Sequence, residues 1–322
     1  MELKGNILIT GSGGQLGSEL RALLGERPNI FYTDVKELDI TKSEQVERFL
    51  FEKSIDIIVN CAAYTAVDRA EEEEDVALRV NRDAPENLAK GALAVWRAGS
   101  SGKGGPLLIH ISTDYVFDGK GHRPYTENSL TAPVSAYGRT KLAGEKAILD
   151  SGCNAIIIRT SWLYSAYGTN FVKTITRLAS EREKLDVVFD QVGTPTYAGD
   201  LAKVIGNIIS AWELAEPSSL KSLPGVYHFS NEGVCSWYDF AKEIVKQSRR
   251  AEIQTVTKDC RINPVTSDKF VTKAVRPAYS VLDKGKIKST FGIEIRHWRE
   301  PLEDENFWRA ISVDSDAKTT QS

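Results

Sequence analysis

Along the first 160 residues, short apolar runs alternate with segments in which apolar residues recur every three or four positions. Asn6-Ile-Leu-Ile-Thr10 is apolar at successive positions, the pattern of a strand buried on both faces, and Leu16, Leu20, Leu23 and Leu24 follow at helical spacing. Ile30 to Asp34 predicts a second strand. Thr41-x-x-Glu44 reads as a capping box opening a helix that carries Val46, Phe49 and Leu50. Ile55 to Asn60, Leu107 to Ser112 and Ala155 to Arg159 predict further strands, separated by helical stretches over 68–98 and 136–149. Such alternation predicts an α/β fold: a doubly wound parallel sheet with right-handed crossovers and helices on both faces.

After residue 160 the rhythm loosens. Helical patterns cover 170–183, 198–212 and 236–249, with strands at 186–189 and 225–229. At roughly 150 residues per domain, 322 residues make about two domains. The expected division is a first domain over 1–165, completed by segments within 184–232, a smaller α/β domain over 166–311, and a polar tail over 312–322. Ala98 to Gly105, rich in glycine and serine, reads as a surface insertion. The acidic run Glu71-Glu-Glu-Glu-Asp75 reads as a solvated helix face near a helix start.

Composition narrows the function classes. With 41 Lys+Arg against 44 Asp+Glu, the net charge of −3 argues against a dedicated nucleic-acid or membrane-surface binder. No apolar run approaches the roughly 20 residues that span a bilayer. Met1-Glu2-Leu3-Lys4 leads straight into the first strand, so a cytoplasmic location is expected. Cys61, Cys153, Cys235 and Cys260 form no Cys-x-x-Cys pair and match no cluster among His110, His122, His228 and His297, so no metal site is expected. Cys61 and Cys153, among apolar neighbours, read as buried reduced thiols.

Two constellations carry chemistry. Thr10-Gly11-Ser-Gly-Gly14-Gln15-Leu16-Gly17 places glycines at i, i+3 and i+6 after the first strand, where they permit a tight turn, close approach to a pyrophosphate and helix packing on the sheet. The second strand ends in Asp34, 23 residues after Gly11, where a carboxylate accepts hydrogen bonds from a ribose. This is a Rossmann-like dinucleotide site. In Tyr137-Gly-Arg-Thr-Lys141, a spacing of four puts a phenol and a cation on one helix face, and the cation lowers the phenol pKa toward the range of an acid/base catalyst. Upstream, Ile111-Ser112-Thr113-Asp114-Tyr115-Val116-Phe117-Asp118-Gly119 ends a strand in hydroxyl residues at the carboxyl edge of the sheet, where open α/β sheets bind ligands.

On these motifs the chain resembles the extended short-chain dehydrogenase/reductases. Further runs are Leu38-Asp39-Ile40, Asn60-Cys-Ala-Ala-Tyr-Thr-Ala-Val-Asp68, Tyr137 to Glu145, Arg159-Thr-Ser-Trp-Leu-Tyr164 and Asp190-Gln-Val-Gly-Thr-Pro-Thr196, and these resemble the dTDP-4-dehydrorhamnose reductase branch over about residues 5–300. Cys61 stands where that branch has a small residue. The resemblance implies Tyr137 as general acid, Lys141 as its pKa partner and a ligand of the nicotinamide ribose, and Thr113 as hydrogen-bond donor to the substrate carbonyl. It places Gly11, Gly14, Gln15, Leu16 and Gly17 at the pyrophosphate, Asp39 and Ile40 at the adenine, and Ala62, Ala63 and Tyr64 toward the nicotinamide. Val67, Asp114, Tyr115 and Trp162 would face a dTDP-sugar, and Asn170 and Arg276 its diphosphate.

The implied reaction is reduction, by NADPH or NADH, of the 4-keto group of dTDP-4-dehydro-L-rhamnose to dTDP-L-rhamnose, a precursor of cell-surface polysaccharide. Asp34 should repel a 2′-phosphate while nearby Lys36 offsets the repulsion, so both cofactors are expected to work. Two alternatives stay open: a reductase or epimerase of another nucleotide sugar, and a non-catalytic cofactor-binding regulatory subunit resembling the methionine adenosyltransferase beta subunit. A homodimer is also left open.

Overall fold

The structure, a computed structural model, describes residues 3–99, 105–252 and 260–311; most of the glycine-serine segment and the 312–322 tail lie outside them. The chain begins with β1 (Ile7–Thr10), α1 (Gln15–Leu24), β2 (Ile30–Thr33), α2 (Ser43–Glu52) and β3 (Ile57–Asn60). Two short helices follow, α3 (Val67–Ala70) and α4 (Glu74–Leu78), then a π-turn over Arg79–Asp83, α5 (Ala84–Arg97), β4 (Leu107–Thr113), α6 (Ala136–Ser151) and β5 (Asn154–Thr160). Beyond these lie β6 (Leu163–Tyr164), α7 (Phe171–Glu181), β7 (Lys184–Val188), β8 (Val192–Gly193), β9 (Thr196–Tyr197), α8 (Ala198–Leu214) and α9 (Pro217–Leu220). β10 (Gly225–His228), β11 (Cys235–Ser236), α10 (Trp237–Arg250), β12 (Arg261–Val265), α11 (Gly285–Phe291) and α12 (Glu300–Glu303) complete the order.

Six strands form one parallel sheet in the order β2-β1-β3-β4-β5-β10. Alternate side chains of the central strands go to opposite faces. Ile7, Ile9, Ile57, Val59, Leu107 and Ile109 pack under α1 and α8. Leu8, Ile58, Leu108 and Ile157 pack with Val46, Leu50, Leu88 and Ile148 of α2, α5 and α6. Burial on both faces is why these strands read as unbroken apolar runs. The chain runs outward from β1 to β2 and then returns to β3 on the other side of β1. The ends of β1 and β3 therefore diverge into a crevice, the topological switch point of an open sheet.

β10 returns from the later part of the chain to the sheet's edge, whereas β7 pairs with β12 in a separate two-stranded ribbon. That ribbon belongs to a second core built around Tyr164, Phe240, Ile244, Trp298, Leu302 and Trp308, with α7 and α10 packed on it.

Four local expectations are corrected. Thr41 does not cap α2: the helix follows Lys42 without a side-chain cap, and the Thr41 hydroxyl donates instead to Asp39 Oδ1 at 2.6 Å. The stretch 68–98 is not one helix. Pro85 has no N–H for the Asn81 carbonyl four residues back, and the wide turn over Arg79–Asp83 takes up that break. The acidic run is not simply solvated, because Glu71 Oε1 accepts the Ala136 N–H at the start of α6 (2.8 Å) and Glu74 pairs with Arg139 (2.8 Å). All four cysteines are free; Cys61 and Cys153 are only half-buried by their neighbours.

Candidate active site

The glycine loop sits in the crevice between β1 and β3. Gly11 has φ +64°, and a Cβ there would meet the Ala62 backbone at 2.7 Å, so the loops after β1 and β3 touch at a position that only glycine fills. A Cβ on Gly17 would lie 2.5 Å from both Gly11 O and Ser12 Cα, which explains how closely α1 sits on the turn. Gly14 is the N-cap of α1 without a side-chain cap, and the first turn carries no acidic residue. The N–H groups at that helix end are therefore left for an anionic ligand, with the helix dipole favouring it. Leu16 is buried and contributes only backbone to this surface, while Gln15 Oε1 is buried without a partner. Asp34 Oδ2 accepts from the Gly13 N–H (2.9 Å) and the Ser12 hydroxyl (3.2 Å), bracing the loop from the end of β2. These features fit a dinucleotide pyrophosphate.

Neighbouring groups wall the crevice. Asp39 Oδ1 holds the Thr41 N–H and hydroxyl, and Ile40 is buried under α5 with its carbonyl accepting from Asn87 (3.1 Å). The Ala62 N–H donates to Asn60 Oδ1 (3.2 Å); Ala63 follows half-exposed, and the Tyr64 hydroxyl donates to Glu73 (2.8 Å).

Across the carboxyl edge, Ser135 caps α6 by accepting the Gly138 N–H (3.2 Å), placing Tyr137 in the first turn and Lys141 one turn on. A Cβ on Gly138 would meet Tyr115 O at 2.2 Å, so this glycine lets α6 press against the loop after β4. The Tyr115 and Tyr137 rings meet edge to face at 5.4 Å. Burial pushes the Tyr137 phenol up to about 12, opposed by the nearby Thr113 hydroxyl and reinforced by Asp114. Lys141 is not a cause of that shift. It is only 1% exposed, its Nζ donates to Ile111 O (2.6 Å), and burial lowers its own pKa to about 8.

Thr113 and Asp114 are coupled. The Thr113 hydroxyl donates to Asp114 Oδ1 (3.0 Å) and accepts the Tyr115 N–H (3.2 Å), so its single proton is directed at the carboxyl. Burial lifts Asp114 to about 6 against the pull of the nearby Ser280 and Thr113 hydroxyls, and its Oδ2 makes no well-formed hydrogen bond.

Just after β5, Trp162 has φ +47°, rare for a bulky residue, and its ring stacks on Trp237 with centroids 3.6 Å apart and planes 9° apart. Gly193 lies directly beneath: a Cβ there would meet Trp162 Cε2 at 2.7 Å. Val67 opens α3 nearby in sequence to Asp68, which binds Arg276 at 2.8 Å and leaves the Arg276 Nε buried without a partner. Asn170 is used differently. Its Oδ1 caps α7 by accepting the Lys173 N–H and its Nδ2 donates to Ser165 O, so both ends of the side chain are occupied within the fold.

Sequence reading missed two groups. One is Trp237, whose signal was an aromatic at a helix start. The other is the polar set inside the sheet. Glu145 on α6 accepts from Arg159 of β5 at 2.7 Å and from Ser112 of β4, clamping three elements beneath the site. Beside them, Asn60 and His110 face each other at 3.0 Å. Their signal was a histidine and an arginine within otherwise apolar strands, a costly placement unless paired.

A parallel sheet with a glycine loop at its switch point, faced by a Tyr-x-x-x-Lys helix across the carboxyl edge, defines a dinucleotide-dependent reductase of the extended short-chain class. A family model described as RmlD substrate binding domain matches residues 5–306, and the chain belongs to this family. It is 40% identical over 301 residues to a dTDP-4-dehydrorhamnose reductase from Aggregatibacter actinomycetemcomitans, covering 92% of this chain and 97% of that one. Among solved structures, it is similar to a dTDP-4-dehydrorhamnose reductase from Clostridium acetobutylicum (TM-score 0.83, 39% identity, 95% and 99% of the two chains). The enzyme of that name from Bacillus anthracis, in complex with NADP, superposes with a TM-score of 0.82 at 37% identity, again over 95% and 99%.

Proposed function

We propose that this protein reduces the 4-keto group of dTDP-4-dehydro-L-rhamnose to dTDP-L-rhamnose, using NADPH or NADH, within the cytoplasm. The observation that carries this reading is the meeting of the Gly11–Gly17 cradle with Tyr137, Thr113 and Lys141 at one sheet edge. The nicotinamide, when bound, supplies the hydride to C4. Tyr137 gives its phenolic proton to the keto oxygen, and a phenol held protonated by burial is loaded for that donation. Thr113 supports the growing negative charge, which requires its hydroxyl to turn from Asp114 toward the substrate. The Lys141 ammonium favours the phenolate left behind and binds the cofactor ribose.

The remaining expectations are assigned by position. Gly11, Gly14, Gln15, Leu16 and Gly17 hold the pyrophosphate, Asp34 the adenosine ribose, Asp39 and Ile40 the adenine, and Ala62, Ala63 and Tyr64 the way to the nicotinamide. Val67, Asp114, Tyr115 and Trp162 face the sugar nucleotide, and Arg276, with a free Nε–H, is the better placed of the two diphosphate candidates. A Streptomyces antibioticus relative at 39% identity is named a probable dTDP-4,6-dihydroxy-2-methyloxan-3-one 4-ketoreductase, so a second dTDP-keto sugar is the competing substrate. The test is oxidation of NADPH by the purified protein alone with dTDP-4-dehydro-L-rhamnose. Turnover supports the reading; tight cofactor binding without turnover would return the chain to a regulatory role.

A further inference from the structure

The buried polar row running from β1 to α6 fixes the hydrogen positions around Lys141. Asn60 Oδ1 accepts from the Thr10 hydroxyl (2.7 Å) and from the Ala62 backbone N–H (3.2 Å), which is a donor in any state. That settles the orientation of the Asn60 amide: its NH2 group points at His110 Nδ1, 3.0 Å away. His110 Nδ1 is therefore an acceptor. Burial and the neighbouring Lys141 hold the imidazole neutral, so its one proton sits on Nε2. Nε2 lies 3.4 Å from Lys141 Nζ.

An ammonium has three donors and no lone pair, so it has nothing with which to receive that proton, whereas a neutral amine accepts it while still donating to Ile111 O. We propose that His110 is a positioning residue for the reduction: by aiming its Nε2–H at Lys141 Nζ, it favours the neutral amine and so sets the pH above which the enzyme loses its cation.

The other groups facing Lys141 act in both directions. From the loop after β3, Cys61 is a thiol pushed up to about 12 by burial, and it stays uncharged. On α6 itself, Glu145 favours the ammonium, but its charge is shared with Arg159 and Ser112. Tyr137, on the same helix, is a neutral phenol. From β4 come His110 and the Ile111 carbonyl. Among these groups, His110 is the one whose ring nitrogen contacts Nζ, at 3.4 Å. Its position in the middle of an apolar strand, one residue before the carbonyl that Lys141 also uses, ties the depth of the lysine to the tautomer of the histidine.

This inference rests on Lys141 acting as the cation beside Tyr137, and its test separates the two claims. The protein contains four histidines, so the ring nitrogens of 15N-histidine-labelled wild-type protein can be followed by NMR without any turnover. His110 is assigned by the signal lost in His110→Gln. The expected result is a neutral Nε2–H tautomer whose Nε2 shift bends between about pH 7 and pH 9 as Lys141 titrates. An Nδ1–H tautomer, or a flat Nε2 shift across that range, would overturn the proposal whatever the activity.

The kinetic arm compares kcat against pH for wild type, His110→Phe and His110→Gln. His110→Phe removes the donor, and its high-pH limb should move up by about half a unit or more, while His110→Gln, which keeps an N–H, should stay nearer the wild type. A limb that does not move in either variant, with only a lower melting temperature, would assign His110 a structural role alone.

Discussion

Asp114 is the residue whose titration should be visible from outside the site. Its folded pKa is raised from 3.8 to about 6, first by burial, so the folded protein binds more protons than the unfolded chain between those values. Its contribution to stability is complete below about pH 4 and is lost as pH rises through about 6, a change of ~3 kcal/mol for a two-unit shift. Asp114→Asn should therefore flatten the stability-against-pH curve over that window, measured by urea unfolding at several pH values; an unchanged slope would place the ionisation elsewhere. Asp34 gives a second test at this scale. Its carboxylate braces the Ser12–Gly13 turn, and on the proposed ribose role Asp34→Ala should raise the ratio of NADPH to NADH efficiency. Equal ratios before and after substitution would show that it braces the loop only. Tyr137 and Lys141 stood out in the sequence by their spacing of four, and Thr113 entered only through the family resemblance. His110 and Asn60 did not stand out, since their meaning lies in hydrogen bonds between residues 50 positions apart.

The site depends on α6 being locked to β4 and β5, and the Glu145–Arg159 pair does this from within, at 1% and 5% exposure. Removing one partner of a buried pair strands the other charge. Glu145→Gln is expected to cost about 3–5 kcal/mol and to lower turnover by loosening α6, read as a fall in melting temperature together with kcat. Wild-type stability in that variant would mean that the pair is hydrated and not structural. Strand positions and the long helix α6 were readable from apolar periodicity, which reports burial directly. The broken helix before β4 had one local signal, Pro85, whereas the contacts that Asn81 makes there, to Tyr64 and Thr140 through its amide and against Gly144 of α6 through its carbonyl, are made across the fold. The Thr41 cap failed for a local reason: Asp39 Oδ1 accepts both the Thr41 N–H and its hydroxyl, holding Thr41 in a turn ahead of the helix.

At the scale of the molecule, the Trp162–Trp237 stack packs against the second core, while Asp68 of α3, after β3, reaches Arg276 from much later in the chain. Trp162 carries a strained backbone and one ring face is covered by Trp237, so the residue is built into the fold as well as proposed to face the sugar nucleotide. Trp162→Ala should raise the KM for the sugar nucleotide at least tenfold while leaving NADPH affinity near normal. Loss of NADPH binding, or a collapse in melting temperature with no change in KM, would make it a core aromatic only. The doubly wound sheet was evident from strand and helix alternation. The return of β10 to the sheet edge and the pairing of β7 with β12 are long-range choices that local periodicity does not encode.

The most direct measurement is single-turnover reduction of dTDP-4-dehydro-L-rhamnose by wild type and Tyr137→Phe, with NADPH affinity determined on the same samples. Tyr137→Phe removes one oxygen from a side chain held by Tyr115 and the Gly138 turn, so NADPH binding should be retained. The rate should fall by about a hundredfold to ten-thousandfold, the range for loss of a positioned general acid. A Tyr137→Phe rate within a few-fold of wild type would contradict the account and leave this cluster as a cofactor site alone.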